Sequence, residues 1–135
     1  MKDWLSYVEK WVNTDLWGFV LLDYFYDRRK DAAHPQDDPS HFIRNMVDRV
    51  GSQSSDPVRF HRVLLCVCVE LLGNDFDEII DISTEFLRKQ KTPLTGHMCE
   101  LVISEYACYG KADTMREHLQ SASLYPTQSL SAGVS

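Results

Sequence analysis

Glycine and proline are scarce, with 6 and 5 among 135 residues. Little of the chain is therefore committed to turns, and most of it can be regular structure. Nowhere do β-branched and polar residues alternate over the length of a strand, so an amphipathic sheet is not expected. The run LLCVCVELL could pass for a buried strand, but an Asp-Pro start and a Gly stop favour helix. No apolar run reaches the roughly 20 residues that cross a membrane. The opening MKDWLSYVEKW places Asp3 and Glu9 where a secretory or transit leader excludes acids. Positive charge is also in deficit: 14 Lys and Arg stand against 20 Asp and Glu, for a net charge of -6. A backbone-driven nucleic-acid interaction starts at a disadvantage in such a chain. The basic clusters Arg28–Lys30 and Arg88–Lys91 suit the C-terminal ends of helices, where cations favour the dipole.

Catalytic and metal-binding patterns are equally sparse. Cys66, Cys68, Cys99 and Cys108 form no CxxC pair. They read as reduced, mostly buried apolar residues of an intracellular protein, cytoplasmic or nuclear. His34, His41, His61, His97 and His118 form neither HExxH nor HxH. His61 and His97 lie at matching places in two helices, which suggests a shared structural role. Cys99 with His97, or Cys108 with His118, could be drawn as a nucleophile and base, but no oxyanion site accompanies either pair. Asp75, Asp77, Glu78 and Asp81 lack the glycine and terminal glutamate of a calcium loop and read as the acidic first turn of a helix. With no Gly-rich phosphate loop either, the chain is expected to be non-enzymatic, with no catalytic residue, metal or cofactor.

What is present is a succession of helix signals. Asp38-Pro39, Asp56-Pro57 and Thr92-Pro93 each combine a capping oxygen with a proline suited to a first helical turn. From Pro57, apolar residues cover more than one face up to Gly73, as in a helix held between neighbours. A second helix follows, with acids at its start and Arg88, Lys89 and Lys91 at its end. Pro93 opens a third, carrying Met98, Leu101, Val102, Ile103 and Tyr106 and ending near Gly110, and residues 111–123 form a fourth. Pro57 and Pro93 are 36 apart, and Gly73 and Gly110 are 37 apart, the period of a helical solenoid. Upstream, residues 1–30 read as two aromatic-rich helices broken near Asn13-Thr14, and residues 39–53 as one more. Residues 30–39 and 51–56 are loops. The expected architecture is all-α: about seven helices in antiparallel hairpins, a short α-solenoid forming a single domain over 1–123. A Ser-rich tail, 124–135, is expected to be extended or loosely packed.

The stretch LVISEYACYGKADTMREHLQSASLYPT resembles pentatricopeptide and tetratricopeptide repeats. It has an apolar first helix with Tyr in its second half, Gly at the turn, a charged second helix and then Pro. VISEYACYGK is closest to the pentatricopeptide form, and residues 57–91 are a weaker copy. The resemblance covers 57–127 and implies stacked helical hairpins. In the pentatricopeptide family a small polar residue early in each first helix reads an RNA base; that position falls on Val63 and Glu100. Val63 cannot hydrogen-bond a base edge, and Glu100 adds negative charge near phosphate. RNA binding is thus the alternative to a protein-binding adaptor or scaffold. Three Trp, three Tyr and two Phe lie within residues 1–26. Trp4, Trp11, Trp17, Tyr24 and Tyr26 are the candidate anchors for a protein partner, because aromatics dominate interface hot spots. A second copy of the chain is an admissible partner; a membrane is not expected.

Overall fold

The computed structural model describes residues 4–30 and 38–126. The described residues form seven α-helices and one 3-10 turn: α1 (Trp4–Glu9), α2 (Trp17–Lys30), α3 (Pro39–Val50), α4 (Pro57–Leu72), α5 (Phe76–Arg88), α6 (Gly96–Glu105), the turn Ala107–Tyr109 and α7 (Ala112–Ser121). No strand occurs among them, and no helix is long and apolar enough to cross a membrane. The chain divides into two compact units, Met1–Gln90 and Lys91–Ser135.

In the N-terminal unit the start signals act as their chemistry dictates. Asp38 accepts from the Ser40 N–H, Asp56 from Arg59 and Asp75 from Glu78, each satisfying a donor that the first helical turn leaves unpaired. Pro39 and Pro57 begin α3 and α4, where a missing N–H costs nothing. Gly73 ends α4 at a φ of 66°, a conformation that side chains disfavour. The break between α1 and α2 centres on Thr14, whose hydroxyl donates to Trp11 O and accepts from the Leu16 N–H.

The five helices of this unit form two layers. α2 and α4 lie side by side, and α3 lies between α1 and α5. Within each layer the helices run parallel. Asp15, just before α2, meets Arg59 early in α4, and Tyr26 near the end of α2 meets Glu70 near the end of α4. In the other layer Ser40 and Asp48 of α3 meet Glu78 and Lys89 at the two ends of α5. Consecutive helices α4 and α5 are antiparallel, since Phe60 stacks on Phe86 and His61 bonds Ser83. α4 touches α2, α3 and α5, which explains why its apolar residues occupy more than one face.

The layers are joined by aromatic packing. Trp17, Phe60 and Phe86 stack in series with centroids 4.3 and 5.0 Å apart, and all are fully buried. A second group sets Trp4 against Tyr24 and Phe42, at 4.9 and 4.7 Å. α1 has only six residues, too few to persist without such packing. Arg44 of α3 clasps the acidic face of α5, donating to Glu78 at 3.0 and 3.1 Å, to Asp81 at 3.3 Å and to Glu85 at 3.2 Å. Burial alone lowers the Arg44 pKa, but Glu78, Glu85 and Asp81 outweigh it and the net shift is upward. The Ser40 hydroxyl, and then Arg44, hold the Glu78 carboxyl below the ordinary glutamate range. The residues that resemble a calcium loop are thus a helix cap, Asp75, continued by a face that grips an arginine.

Gly51 closes α3 in a tight place. A Cβ there meets Val47 O at 2.5 Å and the Phe86 ring at 3.2 Å. Gly51→Ala is therefore expected to destabilise this unit by about 1–3 kcal/mol, the usual cost of overpacking, read as a lower urea midpoint.

The C-terminal unit is an antiparallel pair, α6 and α7, with Cys99, Val102, Ile103, Tyr106, Met115 and Leu119 buried. α6 starts three residues later than the Thr92-Pro93 signal implies. The Thr95 hydroxyl, not that of Thr92, accepts from the Met98 N–H and caps the helix. Leu94 is buried ahead of it. Gly110, at φ 71°, turns the chain into α7 as anticipated. The segment after α7 is less loose than its composition suggests. The N–H groups of Leu124 and Tyr125 donate to Leu119 O, and the Tyr125 hydroxyl donates to Glu100. Residues 127–135 of the Ser-rich tail, and His34 in the 30–39 loop, lie outside the described residues.

Candidate partner-binding groove

Two stripes run along α2. Trp17, Leu21 and Phe25, spaced four apart, enter the core. Gly18, Phe19 and Leu22 form the other, and with Val63, Cys66 and Val67 of α4 they line a groove of about 340 Å³. Gly18 is buried at the helix contact, where a Cβ lies 2.7 Å from a Val63 methyl. The missing side chain lets α2 approach α4 closely. Phe19 stands at the rim and is 68% exposed, the most exposed of the large apolar side chains among the described residues.

Charges mark the two ends. At the start of the helices Arg59 donates to Asp15 at 2.8 Å, and Arg62 stands 3.8 Å from the same carboxylate. The Arg59 hydrogen bond is the main cause of the lowered Asp15 pKa. At the other end the Tyr26 hydroxyl donates to Glu70 at 2.7 Å, which raises the pKa of the phenol. The groove is therefore an apolar trough with Arg62 beside the Asp15 carboxylate at one end and Glu70 at the other.

The aromatic candidates are dispersed by the structure. Trp17 is 0% exposed and belongs to the core, because its position continues the Leu21–Phe25 stripe. Trp4 and Tyr24 are half-buried in their stack with Phe42. Trp11 is 39% exposed but does not line the groove. Tyr26 is exposed and reaches the groove only through Glu70. Phe19 and Leu22, absent from those candidates, are the residues that line it. Their signal was readable: Phe19, Leu22 and Tyr26 at i, i+3 and i+7 form a second apolar face on one helix. A second concavity of about 360 Å³ is bounded by Trp4, Tyr24, Phe42, Arg28, His41 and Asp38, with Asp38 already spent on capping α3.

Val63 and Glu100 occupy unlike surroundings. Val63 lines the groove and packs on Gly18, whereas Glu100 binds Arg116 and Tyr125 in the C-terminal unit. Arg116, followed by Tyr125, holds the Glu100 carboxyl below its ordinary range. His61 and His97 also differ: His61 is buried with its Nε2 2.9 Å from Ser83 Oγ, and His97 is exposed. None of the four cysteines forms a disulfide, and only Cys68 and Cys99 are buried; Cys66 and Cys108 are exposed, against the expectation of mostly buried thiols. Burial pushes the Cys68 thiol up to about 12. No group of three metal-ligating side chains gathers among the described residues.

Comparison with protein-family models, with curated proteins and with solved structures finds no match for this chain.

Proposed function

We propose that this chain is a non-enzymatic helical-repeat module that binds a protein partner through the groove between α2 and α4. The observation that carries the reading is an apolar trough between two parallel helices with a solvent-exposed phenylalanine at its rim. Exposed apolar surface of this kind marks interaction sites. The repeat character draws support from the spacing of polar contacts. Hydrogen bonds between parallel helices of the N-terminal unit, or between the turns that flank them, join residues 34 to 44 apart, close to one helical-hairpin period. α2 and α4 begin at Trp17 and Pro57, 40 residues apart, and α3 and α5 at Pro39 and Phe76, 37 apart. These offsets pair α2 with α4 and α3 with α5, the helices that lie side by side within each layer. RNA is the weaker reading, because the groove offers one arginine against Asp15 and Glu70 and no amide or hydroxyl on its floor.

The test is affinity capture from cell extract with the wild-type chain and with Phe19→Asp. The variant is expected to lose the captured partner while keeping its helical circular dichroism and melting temperature, because Phe19 contributes little to the core. Capture unaffected by Phe19→Asp would refute the groove as the binding surface.

A further inference from the structure

We infer that the occupant of the groove is an amphipathic helix that runs against α2 and α4, with a basic residue near its start over Glu70 and an acidic residue near its end over Arg62. This inference rests on the groove being the binding surface, and it specifies the partner.

The floor excludes an extended peptide. Of its side chains, Leu22, Val63 and Val67 carry no hydrogen-bonding group and Cys66 only a weakly bonding thiol, and Gly18 is buried. The backbone of both wall helices is engaged in its own helical bonds. An extended segment laid there leaves its N–H and C=O groups facing apolar surface, at a cost comparable to lost hydrogen bonds. A helix satisfies those groups internally and offers only side chains, as in helix-in-groove recognition.

Length and charge fix the rest. From Arg62 to Glu70 along α4 is about 12 Å at 1.5 Å per residue, which matches two helical turns. Apolar residues at i, i+3 or i+4, and i+7 of a partner fit this span, with Phe19 closing over one edge. At one end Arg59 already engages Asp15 at 2.8 Å, so Arg62, farther off at 3.8 Å and more than half exposed, has donors to offer a carboxylate. At the other end Glu70 accepts from Tyr26, a neutral donor, and lines the groove where a cation of the partner can reach it. Both wall helices begin at the Arg62 end, where their dipoles add positive potential against the carboxylates of Asp56, which caps α4, and of Asp15, just before α2. A partner whose negative C-terminal pole lies at that end is favoured over one running the other way.

The probe is a stapled synthetic helix of about four turns, with leucines on one face, a Lys early, and a Glu about seven residues later. Its fluorescence anisotropy is measured with the whole chain. Three comparisons accompany it: the same helix with Lys and Glu exchanged, a proline-containing extended peptide of equal composition, and the chain carrying both Arg62→Glu and Glu70→Lys. The matched helix is expected to bind about tenfold more tightly than the exchanged one at low salt, because two attractive pairs become repulsive. The doubly substituted chain is expected to invert the preference, and the extended peptide to fail. Equal affinity for both charge orders overturns the inference, as does equal binding of the extended peptide. If no peptide binds while Phe19→Asp still abolishes capture, the helical class is wrong and the groove stands. If capture ignores Phe19→Asp, groove and inference fall together. The peptide exchange is read on the unaltered chain, so it does not depend on the variant folding.

Discussion

Trp17→Ala is expected to cost the N-terminal unit about 3–5 kcal/mol, the range for emptying a large aromatic from a core. Trp17 is fully buried and stacks on Phe60, which stacks in turn on Phe86, so its removal takes away one end of the stack that joins α2, α4 and α5. A domain is stable by only about 5–15 kcal/mol, so this loss brings the unit close to unfolding. Trp17→Phe separates two contributions. The indole Nε1 of Trp17 is buried without a hydrogen-bond partner among the described residues. An unpaired buried donor costs about 1–3 kcal/mol, and phenylalanine removes it while leaving a smaller void. Trp17→Phe is therefore expected to be much milder than Trp17→Ala. Trp11→Ala, at a half-exposed site, is expected to shift stability by less than about 1 kcal/mol. Urea unfolding followed by far-ultraviolet circular dichroism orders the three. A Trp17→Ala protein as stable as the wild type would show that the stack does not hold the layers together.

Arg44→Ala is the second large effect, at about 2–4 kcal/mol. The guanidinium binds Glu78, Asp81 and Glu85 from a half-buried position, and its loss leaves three carboxylates on one face of α5 without their cation. Arg44→Lys keeps the charge but not the fork that reaches Glu78 and Glu85 together, so it is expected to recover only part of the loss. The clasp also dictates a pH dependence. The folded-state pKa of Glu78 is lowered, first by Ser40 and then by Arg44. A carboxyl with a depressed folded pKa contributes stability that is fully present above its unfolded value of about 4.3 and lost as pH falls through the folded value. The wild type is expected to weaken in acid over that window, and Arg44→Ala to weaken less steeply. Urea midpoints near pH 7 and near pH 3 measure the difference. Parallel losses in the two proteins would remove Arg44 from the account.

Much of the architecture was legible because local chemistry agreed with the fold. Asp38-Pro39 and Asp56-Pro57 start helices where a cap and a proline predict, and Gly73 stops α4 at positive φ; α6 ends at Glu105, short of Gly110, which closes the 3-10 turn that follows. The Thr92-Pro93 signal misled because a second capping hydroxyl, Thr95, lies three residues on and places Leu94 inside. Helix starts were legible at Pro39 and Pro57 but not at α2, which lacks an Asp-Pro start. The candidate site was harder to see. Aromatic count drew attention to Trp17, but burial follows helical face, not residue type, and Trp17 shares its face with Leu21 and Phe25. Val63, considered for its rank in a repeat, lines the groove instead because Gly18 of another helix admits it. That pairing joins residues 45 positions apart, 18 and 63, and no local pattern announces it.

The two-layer arrangement also governs how the N-terminal unit comes apart. Among the described residues each helix there packs chiefly on helices one or two places away in chain order, so loss of one end need not disrupt the other. α1, six residues long and held by buried Leu5 and Val8 and by Trp4 stacked on Tyr24 and Phe42, is the weakest edge. Amide hydrogen exchange should therefore form a gradient, fastest in α1 and slowest in α4, which is flanked on three sides.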